Sequence, residues 1–171
     1  MGKGASRSSG LGGVDPHIEG MTHCETCLKL DKCWFVDENK PLLPQHPYCH
    51  CTVNPLPLSR VLNEAQSACD IRKFSEYIFH PENNKGKKEL FEGWGYDKTD
   101  SEMLQKVFEK QAIEKYIQGQ YELGKLNEQG QRINIRIKLE RKNNDEMVTF
   151  ISGWMVCPNG EIRLVTPYGG A

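Results

Sequence analysis

The clearest pattern in this chain lies toward its C-terminus, where polar and apolar positions alternate without a break over residues 132–140. Ile133, Ile135, Ile137 and Leu139 share one parity, and Arg132, Asn134, Arg136 and Lys138 the other. Successive strand residues point to opposite faces, so this run predicts a half-buried β-strand. Residues 147–157 are apolar on both parities, which predicts a strand covered on both sides and central in its sheet. Turn residues at 142–145 and at Pro158-Asn159-Gly160 flank it, and residues 161–166 form a third strand. Upstream the period changes. Leu104, Phe108, Ala112 and Tyr116 recur every fourth residue, flanked by Met103, Val107 and Ile113. That spacing predicts a long amphipathic helix, opened by a capping box at Thr99-x-x-Glu102 and closed by Gly119. Two shorter helical stretches precede it. One carries Phe74, Tyr77 and Ile78 and ends at Pro81; the other covers residues 87–94 and is stopped by Gly93 and Gly95. Trp94, Phe150 and Trp154 read as core residues. Helices followed by a meander predict an α+β domain over residues 72–171, with the long helix packed on a three- or four-stranded antiparallel sheet.

The first part of the chain has no such period. Residues 1–20 are rich in glycine and serine and read as a disordered tail. Over residues 21–57, Pro41, Pro44, Pro47, Pro55 and Pro57 hold the backbone extended and exclude long helices. Residues 58–71 read as a linker with some helical character.

Composition narrows the function classes only a little. The 171 residues carry 22 Lys plus Arg against 23 Asp plus Glu, a net charge of -1, and the stretch from Asp70 onward is balanced as well. No strong field toward nucleic acid or a membrane follows, so any RNA binding needs a local patch. No apolar run is long enough to cross a bilayer. The first residues lack the apolar stretch of a secretory signal, and seven cysteines is an odd number. Both fit synthesis in the cytosol with reduced thiols rather than a secreted disulfide framework.

The cysteines carry the candidate chemistry. Five of the seven fall within residues 21–57. Cys24-Glu-Thr-Cys27 makes a chelating pair, answered by His46-Pro-Tyr-Cys49-His50-Cys51. A segment this short and polar needs something besides its own core to order it, which predicts a zinc-knuckle-like unit around a structural Zn²⁺. Cys24 and Cys27 are the first ligand pair; His46, Cys49 and Cys51 compete for the remaining places, with His23 and His50 weaker. Four protein ligands would make the site a closed, structural one rather than a catalytic one. Cys33, Cys69 and Cys157 read as a peripheral thiol, a linker residue and a sheet residue.

The pattern Cys-x-x-Cys-x-x-Leu, then Pro44-x-His46-Pro47-x-Cys49-x-Cys51-Thr52, resembles the C-terminal end of Mu-type minor head proteins of tailed phages, with His50 where that family usually has arginine. The match covers residues 20–57, and the long helical body that precedes the motif in the family is missing. The resemblance implies partners among phage head or portal proteins and a location in the bacterial cytoplasm or the virion. Residues 72–169 are similar to a small uncharacterised bacterial domain found at the C-termini of phage head proteins and polymorphic toxin-like proteins. The residues that carry this are Phe79-His80-Pro81-Glu82, Gly86-Lys87-Lys88, Gly95-Tyr96, Gly130-Gln131-Arg132-Ile133-Asn134, Thr149, Ser152-Gly153-Trp154 and Leu164-Val165-Thr166-Pro167-Tyr168. The helices-then-meander order is like that of barnase, colicin and RelE-type ribonucleases, an analogy of element order only.

That likeness implies a metal-independent ribonuclease as an alternative function, with an immunity-type protein as partner. Arg132 would hold the scissile phosphate, Thr166 or Tyr168 would orient a hydroxyl or donate a proton, and Lys88 would stabilise developing charge. A third alternative is a non-enzymatic interaction module. The bland expectation for Arg132, Asn134 and Arg136 is a solvated strand face, and for Lys85, Lys87 and Lys88 a solvated first helical turn.

Overall fold

A computed structural model describes residues 10–15, 25–43, 45–47, 49–80, 82 and 86–169. Along the chain run β1 (Leu11–Asp15), α1 (Glu25–Leu28), β2 (Trp34–Val36), β3 (Thr52–Pro55), α2 (Leu58–Glu64), β4 (Gln66–Ala68), α3 (Lys87–Gly93), α4 (Ser101–Ile117), β5 (Glu122–Asn127), β6 (Gly130–Glu140), β7 (Met147–Val156) and β8 (Glu161–Thr166). A π-helical turn spans Lys73–Ile78, and short 3-10 turns span Asp37–Asn39 and Lys98–Asp100. The strands form two sheets, a small one ordered β2-β1-β3 and a larger one ordered β4-β8-β7-β6-β5. The class is α+β.

The predicted packing of long helix on sheet is present. Leu104, Phe108, Ala112 and Tyr116 of α4 are fully buried, as are Ile133, Ile135 and Ile137 of β6, and all belong to one core. β7 is central, with an unbroken antiparallel register to β6 from Arg132↔Met155 to Glu140↔Met147. Phe74 of the π-helical turn meets Phe108 edge-on at 5.0 Å between ring centres.

The antiparallel meander has four strands, β5 to β8, within the three or four expected, and the sheet gains a fifth because β4 adds parallel to β8 from the stretch expected to be a linker. Neither strand announces itself: β4 has only three residues, and β5 carries Gly124 and little apolar alternation. The helix start also differs from the expected capping box at Thr99. Asp97 caps the turn instead: its carboxylate accepts the Thr99 N–H at 2.7 Å, and its own N–H donates to Asp100 at 3.0 Å.

β5 pairs with β6 only as far as Asn134. Beyond that point α4 supplies what a strand would. Gln111 accepts the Lys138 N–H at 2.9 Å and donates to the Lys138 carbonyl at 2.6 Å, while the Lys115 ammonium donates to the Arg136 carbonyl. An edge otherwise open to another chain is thereby satisfied within this one.

The N-terminal part is not a separate polar appendage. β1 lies within the stretch expected to be disordered, and its Leu11 and Val14 are buried. Trp34, Phe35 and Val36 are buried too, and Cys33, expected to be peripheral, is 1% exposed. The surface that covers them belongs to the larger sheet and α4. Tyr116 donates its hydroxyl to the Trp34 carbonyl at 2.6 Å, and Tyr121 accepts the Val36 N–H at 3.0 Å. Cys33 bridges Pro158, and the Asn159 N–H reaches the Lys32 carbonyl at 2.9 Å. Gly160, at φ +80°, lies so close under the Trp34 ring that a Cβ there would come within 2.4 Å of it.

Two stability predictions follow from this packing. Leu104→Ala and Ile135→Ala should each cost about 2–5 kcal/mol in urea unfolding, the range for emptying a fully buried aliphatic site. Gly160→Ala meets both a collision and an unfavourable backbone angle, so it should destabilise by about 1–3 kcal/mol and shift tryptophan emission as Trp34 is displaced; unchanged emission and midpoint would refute the close approach.

Candidate metal centre

Cys27 sits on α1, a single turn pinned by Leu30, which is fully buried. His46 and Cys49 come from the proline-rich loop, where the Cys49 N–H returns to the His46 carbonyl at 3.1 Å and folds the two side chains toward one point. The Cys27 thiol lies 3.5 Å from His46 Nε2 and 3.5 Å from the Cys49 thiol. All three donor atoms fall within 4.8 Å of one another, an arrangement that can hold a metal ion.

The imidazole is in the right tautomer for a ligand. His46 Nδ1 lies 2.7 Å from the Pro47 carbonyl. A carbonyl only accepts, so Nδ1 carries a proton, and Nε2 is the ring nitrogen turned toward the Cys27 thiol, the one that would ligate from a neutral imidazole. Burial pushes the Cys49 thiol up, but backbone hydrogen bonds at Cys51 and Gln45 and side-chain bonds to Cys27 and Cys51 outweigh it and bring it down to about 7. The thiolate, which is the form that ligates a metal, is therefore accessible near neutral pH. Those same bonds place the Cys51 thiol beside the group. Cys24 and His23 lie outside the described residues, and His50 is exposed.

The other cysteines belong to different environments. Burial pushes the Cys33 thiol up to about 12, reinforced by Cys157 and Asp31. Cys69 is raised as well, by burial and then by the Glu109 carboxylate. Cys69 is also no mere linker residue: its N–H donates to Glu109 at 2.9 Å and its carbonyl accepts from Gln105 at 2.7 Å, tying it to α4.

Of the four residues expected to act on RNA, the structure brings two together and separates the others. The Thr166 hydroxyl donates to the Tyr168 carbonyl at 2.9 Å. The Tyr168 ring packs on Phe150, 5.5 Å between centres, and Phe150 pairs with Ile137 on the sheet face beneath α4. Arg132 has the opposite parity to Ile137 on β6, so it belongs to the other face. There its guanidinium bonds Gln129, with Nε buried and without a partner among the described residues. Lys88 faces Glu92 at 3.9 Å. The neighbouring Lys87 is the cation that reaches Thr166, at 3.4 Å, and it donates to the Tyr77 hydroxyl at 2.8 Å while lying over that ring. Adjacent helical residues point about 100° apart, so a Gly-Lys-Lys run offers no sign of which lysine turns inward. Tyr77 itself was legible only as part of an apolar face. His80 is exposed and accepts the Glu82 N–H at 3.3 Å.

A family model described as a domain of unknown function, DUF6883, matches residues 60–171. The chain belongs to that family. The DUF6883 stretch begins within α2 and takes in β4, which agrees with β4 being a strand of the larger sheet. The group of Cys27, His46 and Cys49 precedes it, so the two features occupy different parts of the sequence. No curated protein and no solved structure gives a significant match. Among the described residues, no helix is long and apolar enough to cross a membrane.

Thiol chemistry tests this arrangement. In metal-free protein near pH 7.5, Cys49 should alkylate first, with Cys33 and Cys69 protected until the chain unfolds. Site-resolved mass spectrometry after a short iodoacetamide pulse reads the order. Equal labelling of Cys33, Cys69 and Cys49 in folded protein would overturn the assigned burial.

Proposed function

We propose that the chain is a zinc-clamped end piece of a minor head-type phage protein, with its DUF6883 domain as an accessory module that engages another protein. The observation that carries this reading is the convergence of Cys27, His46 and Cys49 within the segment that resembles such head proteins. Two thiolates and an imidazole suit Zn²⁺, and the spacing fits. Tetrahedral zinc with bonds of about 2.3 Å to sulfur and 2.0–2.1 Å to nitrogen places sulfurs about 3.8 Å apart, and sulfur and nitrogen about 3.6 Å apart. The observed separations are 3.5 Å in both cases. Cys51 or Cys24 completes the shell. Four protein ligands leave no position for substrate, so the metal is structural.

The accessory-module reading is preferred to the ribonuclease one because Arg132 and Tyr168 belong to opposite faces of the sheet and Lys88 pairs with Glu92. The matching location is the bacterial cytoplasm or the virion, with head or portal proteins, or an immunity-type protein, as partners.

Metal analysis of the full chain, purified without added metal, should find about one zinc per chain, lost in Cys27→Ser and in His46→Ala. The α+β core should remain folded in both variants, since its apolar rows are buried without help from the metal. Protein that carries no zinc and takes up none would end the metal reading. Failure to co-purify with head or portal proteins of the encoding phage, with zinc present, would end only the head-protein reading.

A further inference from the structure

We propose that the cleft between the C-terminal end of α4 and the edge of β6 that β5 leaves uncovered binds a phosphate-bearing ligand of nucleotide size. The site is separate from the metal centre and stands whether or not the metal reading does. The cleft has a volume of about 410 Å³, within the range of small-molecule sites. Its chemistry comes from Lys115, Arg136, Lys138, Asn134, Thr149 and Glu122.

The placement is a consequence of the fold. Asn134, Arg136 and Lys138 share the parity of β6 that faces away from the buried row, and Thr149 stands opposite Lys138 in the register. β5 stops pairing at Asn134, so among the described residues the next stretch of β6 has no strand on that edge and the gap becomes a concavity. Lys115 reaches across the rim from α4, held by its bond to the Arg136 carbonyl.

The charge is local rather than background. The cleft carries three cations and one carboxylate, and Glu122 is already engaged with the Arg136 Nη2 at 2.9 Å. No acidic side chain of the lining is left to answer Lys115 and Lys138. Burial, and then the nearby Lys138 charge, push the Lys115 ammonium below its usual range, with the Glu114 carboxylate outside the lining offsetting only part of this. The end of a helix would ordinarily add negative carbonyls here. In α4 two of them are tied down: the Gly119 N–H bonds the Tyr116 carbonyl at 3.1 Å and the Gln120 N–H bonds the Lys115 carbonyl at 2.8 Å, with Gly119 at φ +71°. A phosphate, with its several acceptor oxygens, matches ammonium, guanidinium, amide and hydroxyl donors arrayed around one concavity.

The test uses the full chain with three probes: a fluorescent adenine mononucleotide, a short labelled single-stranded oligonucleotide, and inorganic phosphate as competitor. Saturable binding that weakens with salt is expected, with about a tenfold loss in Lys115→Gln and in Lys138→Gln and no change in Lys110→Gln, an exposed lysine of α4 outside the cleft. Mononucleotide binding displaced by phosphate would identify a free phosphate ester as the ligand; binding of the oligonucleotide alone would identify a phosphodiester strand. Lys138→Gln alters an exposed side chain, so its effect is readable even if Lys115→Gln disturbs the strand edge. No binding of either labelled probe at millimolar concentration, or an equal loss in Lys110→Gln, would overturn the proposal.

Discussion

The seat of Trp34 over Gly160 governs how the front of the chain is built. Three short strands make too small a sheet to stand alone in water. Here one face of that sheet is completed by residues far away in sequence: Gly160 below the indole, Arg60 with its guanidinium 5.4 Å from the ring centre, and Tyr116 bonding the Trp34 carbonyl. Gly160 serves because it offers both a left-handed turn and the absence of a side chain. Val36 is held in the same way against Gly119 and Tyr121. With β2 placed, β1 and β3 follow by pairing, and α1 and the loop bearing His46 and Cys49 come with them.

α4 acts on three sides at once. Its inner row closes the core against β6. On one flank its Gln105 and Glu109 hold Cys69, and the Glu109 carbonyl accepts the Ser67 hydroxyl at 2.7 Å, which fixes β4 beside β8. On the other flank Gln111 and Lys115 satisfy the open edge of β6. The same helix thus secures one edge of the sheet by adding a strand and the other by substituting for one. The second solution leaves a basic concavity where a paired strand would have left a flat sheet.

The candidate metal centre draws on short-range geometry. His46 and Cys49 are brought together by one turn, and the imidazole tautomer is set by the adjacent Pro47 carbonyl. Only the meeting with Cys27 requires the longer path through β2 and the indole contact. A metal there would tie α1 to the proline-rich loop, reinforcing a segment whose apolar residues are already covered by the DUF6883 part of the chain.

The amino-acid sequence by itself determined the elements whose signal is local. β6, β7 and β8 and the long helix were legible because one-sided burial imposes a period of two or of about 3.6 on the residues themselves. The candidate group of Cys27, His46 and Cys49 was legible because chelation selects particular side chains at short spacing. Tertiary structure decided the rest. β4 and β5 are strands because a neighbouring edge offers them hydrogen bonds, not because their residues alternate. Leu11 and Val14 of a glycine-rich stretch, and Trp34 in a proline-rich one, are buried by surfaces contributed from elsewhere in the chain. Lys87 rather than Lys88 meets Thr166 through a rotation of one helical residue, and Arg132 is parted from Tyr168 by the two faces of a sheet. Hydrophobic period records which side of an element is covered; it carries no record of what covers it, and that is where the candidate metal centre and the basic cleft acquire their neighbours.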